Sequence, residues 1–210
     1  MEDMMYEEPG TGDPTPAKWR WELEANAKYT TRSLRKAIDD ITLHSKNLHQ
    51  WWLNIVPIKT NIFIWRVIQN RLPTRANLYK RGVSIPSQLC ALCNRAEETG
   101  NHLFLECSTA VEVQAHLHNW WGANGMPRRI TEVSDMFSEE SRTKSTKIEV
   151  ARRAYLSILW KYRNEAIFTG KVQRNNQLVA EVKMTAFSWY TNRNKKDLNC
   201  NWDIWSKTIL

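Results

Sequence analysis

Between residues 41 and 96 the chain has no aspartate or glutamate. The same stretch carries Lys46, Lys59, Arg66, Arg71, Arg75, Lys80, Arg81 and Arg95, so its positive charge has no counterweight nearby in sequence. Cysteine is also scarce, with four residues in 210, three of them between positions 90 and 107 and the last alone at Cys200. That distribution argues against a disulfide framework. Seven scattered glycines make no phosphate-cradling loop. No apolar run approaches the roughly 18 residues needed to span a bilayer, and we see no secretory leader, so the expectation is a soluble, intracellular protein of nucleus or cytoplasm with no membrane partner.

Catalytic groupings are missing as well. Two-metal phosphoryl transfer and phosphodiester cleavage need several carboxylates converging on two divalent metals, and no acidic motif of that kind occurs. Asp39 and Asp40 are adjacent on an expected helix, where neighbours point in different directions, so they read as surface charge. No serine or cysteine nucleophile stands out. The expectation is therefore a chain that is not an enzyme.

What is present centres on Cys90-Ala91-Leu92-Cys93, followed by eight residues, His102, four residues and Cys107. Three thiols and one imidazole are a complete first shell for tetrahedral zinc, with no position left for water or substrate. Cys90, Cys93, His102 and Cys107 are thus the candidate ligands of one structural zinc ion; the alternative is ordinary buried thiols and a core histidine. Thr99 is placed to cap a helix carrying His102 on its first turn. Five residues on, an α-helix has rotated about 140° past a full turn, so the helix should break near Cys107, with Ser108 capping the next. His116 and His118 read as core or exposed side chains, since the zinc shell is already full.

Several stretches together resemble a known family. They are Trp51-Trp52-Leu53-Asn54-Ile55-Val56-Pro57-Ile58-Lys59, Phe63-Ile64-Trp65-Arg66, Arg71-Leu72-Pro73-Thr74-Arg75-Ala76-Asn77-Leu78, Arg81-Gly82, and Cys90 to Cys107 with Glu97-Glu98-Thr99 before His102-Leu103-Phe104. The pattern resembles the zinc-binding domain that follows the polymerase in plant LINE-type (non-LTR) retrotransposon reverse transcriptases. Upstream, Trp21 and the run Lys28 to Leu34 resemble that family's short hairpin and first helix, with Asn26 or Ala27 where glycine is usual. Downstream, Ile158 to Phe168 resembles the helical segment leading toward a ribonuclease H domain. The resemblance covers about residues 19 to 205. It implies one zinc ion and a polymerase or ribonuclease H domain in the parent protein, and no settled activity.

The expected fold is mainly α, with a small N-terminal β-hairpin, one zinc knuckle and a helical second half. Residues 1–17 hold Glu2, Asp3, Glu7, Glu8 and Asp13 without a lysine or arginine and lack apolar periodicity, so a disordered acidic tail is expected. The zinc-binding domain is placed at 18–122, a linker at 123–146 with one short helix near Val133 to Phe137, and a helical segment at 147–210. Trp19 to Tyr29 reads as the hairpin, and Thr30 or Thr31 as the cap of a helix through Leu34, Ala37, Ile38 and Ile41. After Pro57, a stripe of Ile58, Ile62, Trp65, Ile68 and Leu72 predicts one buried helix face. Thr74 caps a short helix to Lys80, with Gly82 as its left-handed stop. A helix from Ser108 should turn Ala110, Val113, Leu117, Trp120 and Trp121 inward and end at Gly122. Helices over about 147–168, ended at Gly170, and about 175–190, with Leu178, Val182, Ala186 and Trp189 inward, complete the chain.

A basic region interleaved with aromatics is the kind of surface that holds phosphate backbones. Lys59, Arg66, Arg71, Arg75, Lys80, Arg81 and Arg95 are its candidate contacts, with RNA or DNA as the partner. The competing readings are a structural or protein-docking domain using Trp202, Trp205 and the helical half, and a retroelement relic without selected function.

Overall fold

The fold is taken from a computed structural model that describes residues 5–6, 20–22, 24, 28–42, 52–122, 126–133, 146–194 and 200–209. It divides into two compact units, residues 1–48 and 49–210.

In the first unit a two-residue strand β1 (Met5–Tyr6) pairs antiparallel with β2 (Arg20–Trp21), Met5 opposite Trp21 and Tyr6 opposite Arg20. The hairpin expected within 19–29 is not found among the described residues. Strand β2 takes its partner from upstream instead, at Met5 and Tyr6. The disorder expected of residues 1–17 concerns positions that, apart from Met5 and Tyr6, lie outside the described residues. Helix α1 spans Thr31–Thr42. Its start is capped as expected: the Ser33 amide donates to Thr30 Oγ1 at 3.1 Å. The buried Trp21 indole donates to Ser33 Oγ at 2.7 Å and meets Tyr29 edge-on at 5.1 Å.

The second unit is helical. Helix α2 (Ile58–Ile68) opens after Pro57, and α3 (Arg75–Lys80) is capped by Thr74, whose Oγ1 accepts from the Asn77 amide at 3.3 Å. Gly82 stops α3 at φ +75°, and the Val83 amide returns to the Leu78 carbonyl at 3.0 Å, as a left-handed C-cap requires. Helix α4 (Ser108–Trp121) buries Ala110, Val113, Leu117, Trp120 and Trp121, the five positions read from its sequence. The long α5 (Thr146–Thr169) is followed by α6 (Asn175–Arg193) and the short α7 (Trp202–Lys207). Helix α5 packs against α6 and α2, and α6 also against α4 and α7. Described residues on both sides of the linker expected over 123–146 thus pack into one core. Ile130–Glu132 forms one turn of 3-10 helix and Val133 is buried, whereas 134–137 of the short helix expected there lie outside the described residues.

Helix α2 is rotated relative to the expected stripe. Its buried positions are Thr60, Asn61, Ile64 and Val67, while Ile58 is 65% and Ile62 43% exposed. The segment is apolar almost all round, so periodicity alone does not select a face. Polar satisfaction does. Asn61 is buried because it donates to the Leu53 carbonyl at 2.9 Å and accepts from Arg153 Nη1 at 2.9 Å. Arg153, fully buried, also pairs with Glu149 at 2.8 Å. Turning Asn61 outward would take one hydrogen-bond acceptor from a buried guanidinium.

The chain end is docked by tryptophan. Trp120 Nε1 donates to the Trp205 carbonyl at 2.6 Å, and Trp205 Nε1 to the Lys183 carbonyl at 3.2 Å. Trp205 is buried; Trp202 stays 39% exposed against the edge of Phe187.

Candidate metal centre

Two local structures bring the four expected ligands together. The first is a knuckle: Leu89 and Glu97 form an antiparallel bridge, the Cys90 amide donates to the Ala96 carbonyl at 2.7 Å, and the Asn94 amide to the Cys90 carbonyl at 2.8 Å. Asn94 closes the turn at φ +53°, a region that asparagine tolerates better than most residues. Both sulfurs of the Cys-x2-Cys pair consequently face one point.

The second is the turn from Thr99 to Cys107. Thr99 caps it, accepting from the His102 amide at 3.0 Å, which places His102 in the first turn as the spacing predicts. Residues His102–Glu106 then form a π-helical turn, closed by the Cys107 amide on the His102 carbonyl at 2.7 Å. An i to i+5 turn is wider than an α-turn, and it offsets the angular mismatch that an α-helix would impose between residues 102 and 107. The chain breaks at Cys107 (φ −57°, ψ 137°), which itself stands at the N-cap position of α4. The cap is therefore one residue earlier than the expected Ser108.

The donor atoms of Cys90, Cys93, His102 and Cys107 all lie within 4.8 Å of one another. Cys90 Sγ and Cys107 Sγ are 3.8 Å apart, and Cys93 Sγ is 3.2 Å from His102 Nε2. Zinc–sulfur bonds of about 2.3 Å in a tetrahedron set a sulfur–sulfur edge of about 3.8 Å. Cys90, Cys107 and His102 are buried and Cys93 half-buried. Chemistry, separation and burial all fit: the cluster is suited to hold one zinc ion and offers it four protein donors. The hydrogen bond between the two thiols draws Cys107 down, with the α4 amides of Thr109 and Ala110 adding to it, and pushes Cys90 up. A thiolate is the form in which sulfur ligates zinc.

One carboxylate fastens this centre to the rest of the unit. Glu98, fully buried, accepts through Oε1 from the Arg75 amide at 3.0 Å and from Arg163 Nε at 3.0 Å and Nη2, and through Oε2 from the Ala91 amide at 3.1 Å. The knuckle, the start of α3 and the middle of α5 thus meet on one side chain. Below it, the buried Tyr155 donates to the Phe104 carbonyl at 2.7 Å and accepts from Gln114 at 3.1 Å. Burial pushes its phenol well above the ordinary range. Sequence reasoning assigned no role to Glu98 or Arg163. Their only trace was that both stand in the runs carrying the family resemblance.

Residues 18–113 match the family described as zinc-binding in reverse transcriptase. The match spans 96 of the 210 residues and includes all four clustered donors. Helix α5, which supplies Arg163 and Tyr155, lies beyond the matched residues. No curated protein and no solved structure matches the chain. Among the described residues, no helix is long and apolar enough to cross a membrane.

The basic candidates do not form one uniform face. Arg75 is half-buried and structural, its guanidinium donating to the Leu89 carbonyl in the knuckle. Arg71 stacks over Trp65 at 5.4 Å, and Arg81 donates to the Arg71 carbonyl at 3.4 Å. Lys59, Arg66, Lys80 and Arg95 are exposed, and Lys59 and Arg66 line one groove. His116 and His118 are exposed on α4, away from the cluster.

Proposed function

We propose that this chain is a non-catalytic module of a LINE-type, non-LTR reverse transcriptase, holding template or target nucleic acid while zinc keeps its basic surface in register. The observation that carries the reading is the seating of a four-donor zinc cluster directly against the acid-free basic stretch. Glu98 and Arg75 link the knuckle to α3, and α2 precedes it with Lys59 and Arg66 unpaired among the described residues. Positive charge without local compensation favours phosphate, because binding releases condensed counterions. The zinc has its full set of protein donors and so organises the surface without entering any reaction. A docking role through Trp202 and Trp205 is less well supported, because Trp205 is spent on the core.

Titration of the zinc-loaded chain with a fluorescent oligonucleotide at several salt concentrations tests this. The expected result is binding with log affinity falling about 0.9 per neutralised phosphate against log salt on duplex DNA. Binding without a salt slope, or none at low salt, would overturn it.

A further inference from the structure

An apolar groove of about 470 Å³ lies between α2, α3 and α5. Phe63 and Trp160 line it with ring centroids 6.3 Å apart and planes 36° from each other. At its mouth stand Ile62, 43% exposed, and Phe168, 78% exposed on the last turn of α5. An aromatic ring so exposed beside a formed groove contributes little to folding. Lys59 and Arg66 flank the same groove, seven residues apart on α2, which places them on one face about 10.5 Å apart along the axis. Neither makes an ion pair among the described residues. The one other charge in the lining, Arg163, is already matched by Glu98 and lies over Trp160 at 4.7 Å.

We propose that this groove takes an unpaired base of a single-stranded polynucleotide, stacked on Phe168, with the flanking phosphates held by Lys59 and Arg66. The proposal rests on the nucleic-acid reading above and adds strand type and subsite to it. Apolar walls, with Phe168 exposed at the mouth and two cations unpaired among the described residues on its rim, suit a base with a phosphate on either side. A duplex keeps its bases stacked inside and presents only phosphates to such a groove.

The test is fluorescence anisotropy of the zinc-loaded full chain with a labelled single-stranded 12-mer, the same oligomer with abasic positions, and the matching duplex. The expected results are that Phe168→Ala weakens single-strand binding by about 5- to 150-fold, the range for loss of one stacked base, and that its salt slope is unchanged. Lys59→Ala with Arg66→Ala should instead lower that slope by about 0.7 for each phosphate no longer neutralised. All three side chains reach solvent, and circular dichroism of each variant is the check on its folding. Equal affinity for intact and abasic oligomers, or an unaffected Phe168→Ala, overturns the groove assignment and leaves the phosphate-binding reading standing. A polyglutamate peptide that competes as well as the oligomer also overturns the groove assignment, because charge alone would then account for the binding. Absence of binding to all three nucleic acids overturns both.

Discussion

Replacing Glu98 by alanine tests whether the zinc knuckle and α5 behave as one cooperative body. The substitution removes the partner of a guanidinium that is itself only 3% exposed, leaves the Arg75 and Ala91 amides without their acceptor, and empties a fully buried site. Breaking a buried ion pair from one side costs about 3–5 kcal/mol, because the remaining charge stays desolvated. An exposed pair would cost about 0–1 kcal/mol. For a unit of this size, each kcal/mol lowers Tm by about 2–4 °C, so the expected drop is about 6–20 °C. Calorimetry of the zinc-loaded chain reads this directly. Competition with a chromogenic chelator should also show faster zinc release, since the Ala91 amide anchors the turn between Cys90 and Cys93. In an Arg163→Met background, where the buried charge is gone, Glu98→Ala should cost less by about 0.5–3 kcal/mol. A Tm change under about 2 °C, the upper range for an exposed pair at the smaller sensitivity, or equal cost in both backgrounds, would refute the coupling.

Helix α2 gives a paired prediction: Ile58→Ser should change stability by no more than about 0.5 kcal/mol because the side chain is exposed, whereas Ile64→Ala should cost about 2–5 kcal/mol. Urea unfolding separates these outcomes. Trp205→Ala should cost about 3–5 kcal/mol and expose Trp120, visible as a red-shifted emission. Thr74→Ala should cost about 1 kcal/mol through loss of the α3 cap, measured by the same urea midpoints.

The features legible in the sequence are those encoded within a few residues. Thr74 and Gly82 bound α3 through bonds to their immediate neighbours, Gly122 (φ +60°) and Gly170 (φ +66°) stop α4 and α5, and the five inward residues of α4 repeat at helical spacing against polar ones. The zinc donors were equally readable, because ligand spacing constrains residue type directly. The features that were not legible depend on partners distant in sequence. The face of α2 is selected by Arg153, which lies 92 residues after Asn61, and Glu98 is matched by Arg163 across 65 residues. Arg75 looked like one more phosphate contact until the Leu89 carbonyl claimed it. The π-turn was expected only as a break, since spacing reveals the mismatch between residues 102 and 107 and not the wider turn that resolves it. For β2, an alternating run was visible but its partner strand at Met5–Tyr6 was not.

The most direct measurement is the metal content of purified, folded protein, by elemental analysis paired with native mass spectrometry, for the parent chain and for Cys90→Ser. The account predicts one zinc per parent chain, depleted occupancy in the variant, and loosening under chelation that begins at residues 88–107 in hydrogen exchange. A folded parent chain without zinc, or a variant that keeps full occupancy and full thermal stability, would contradict it.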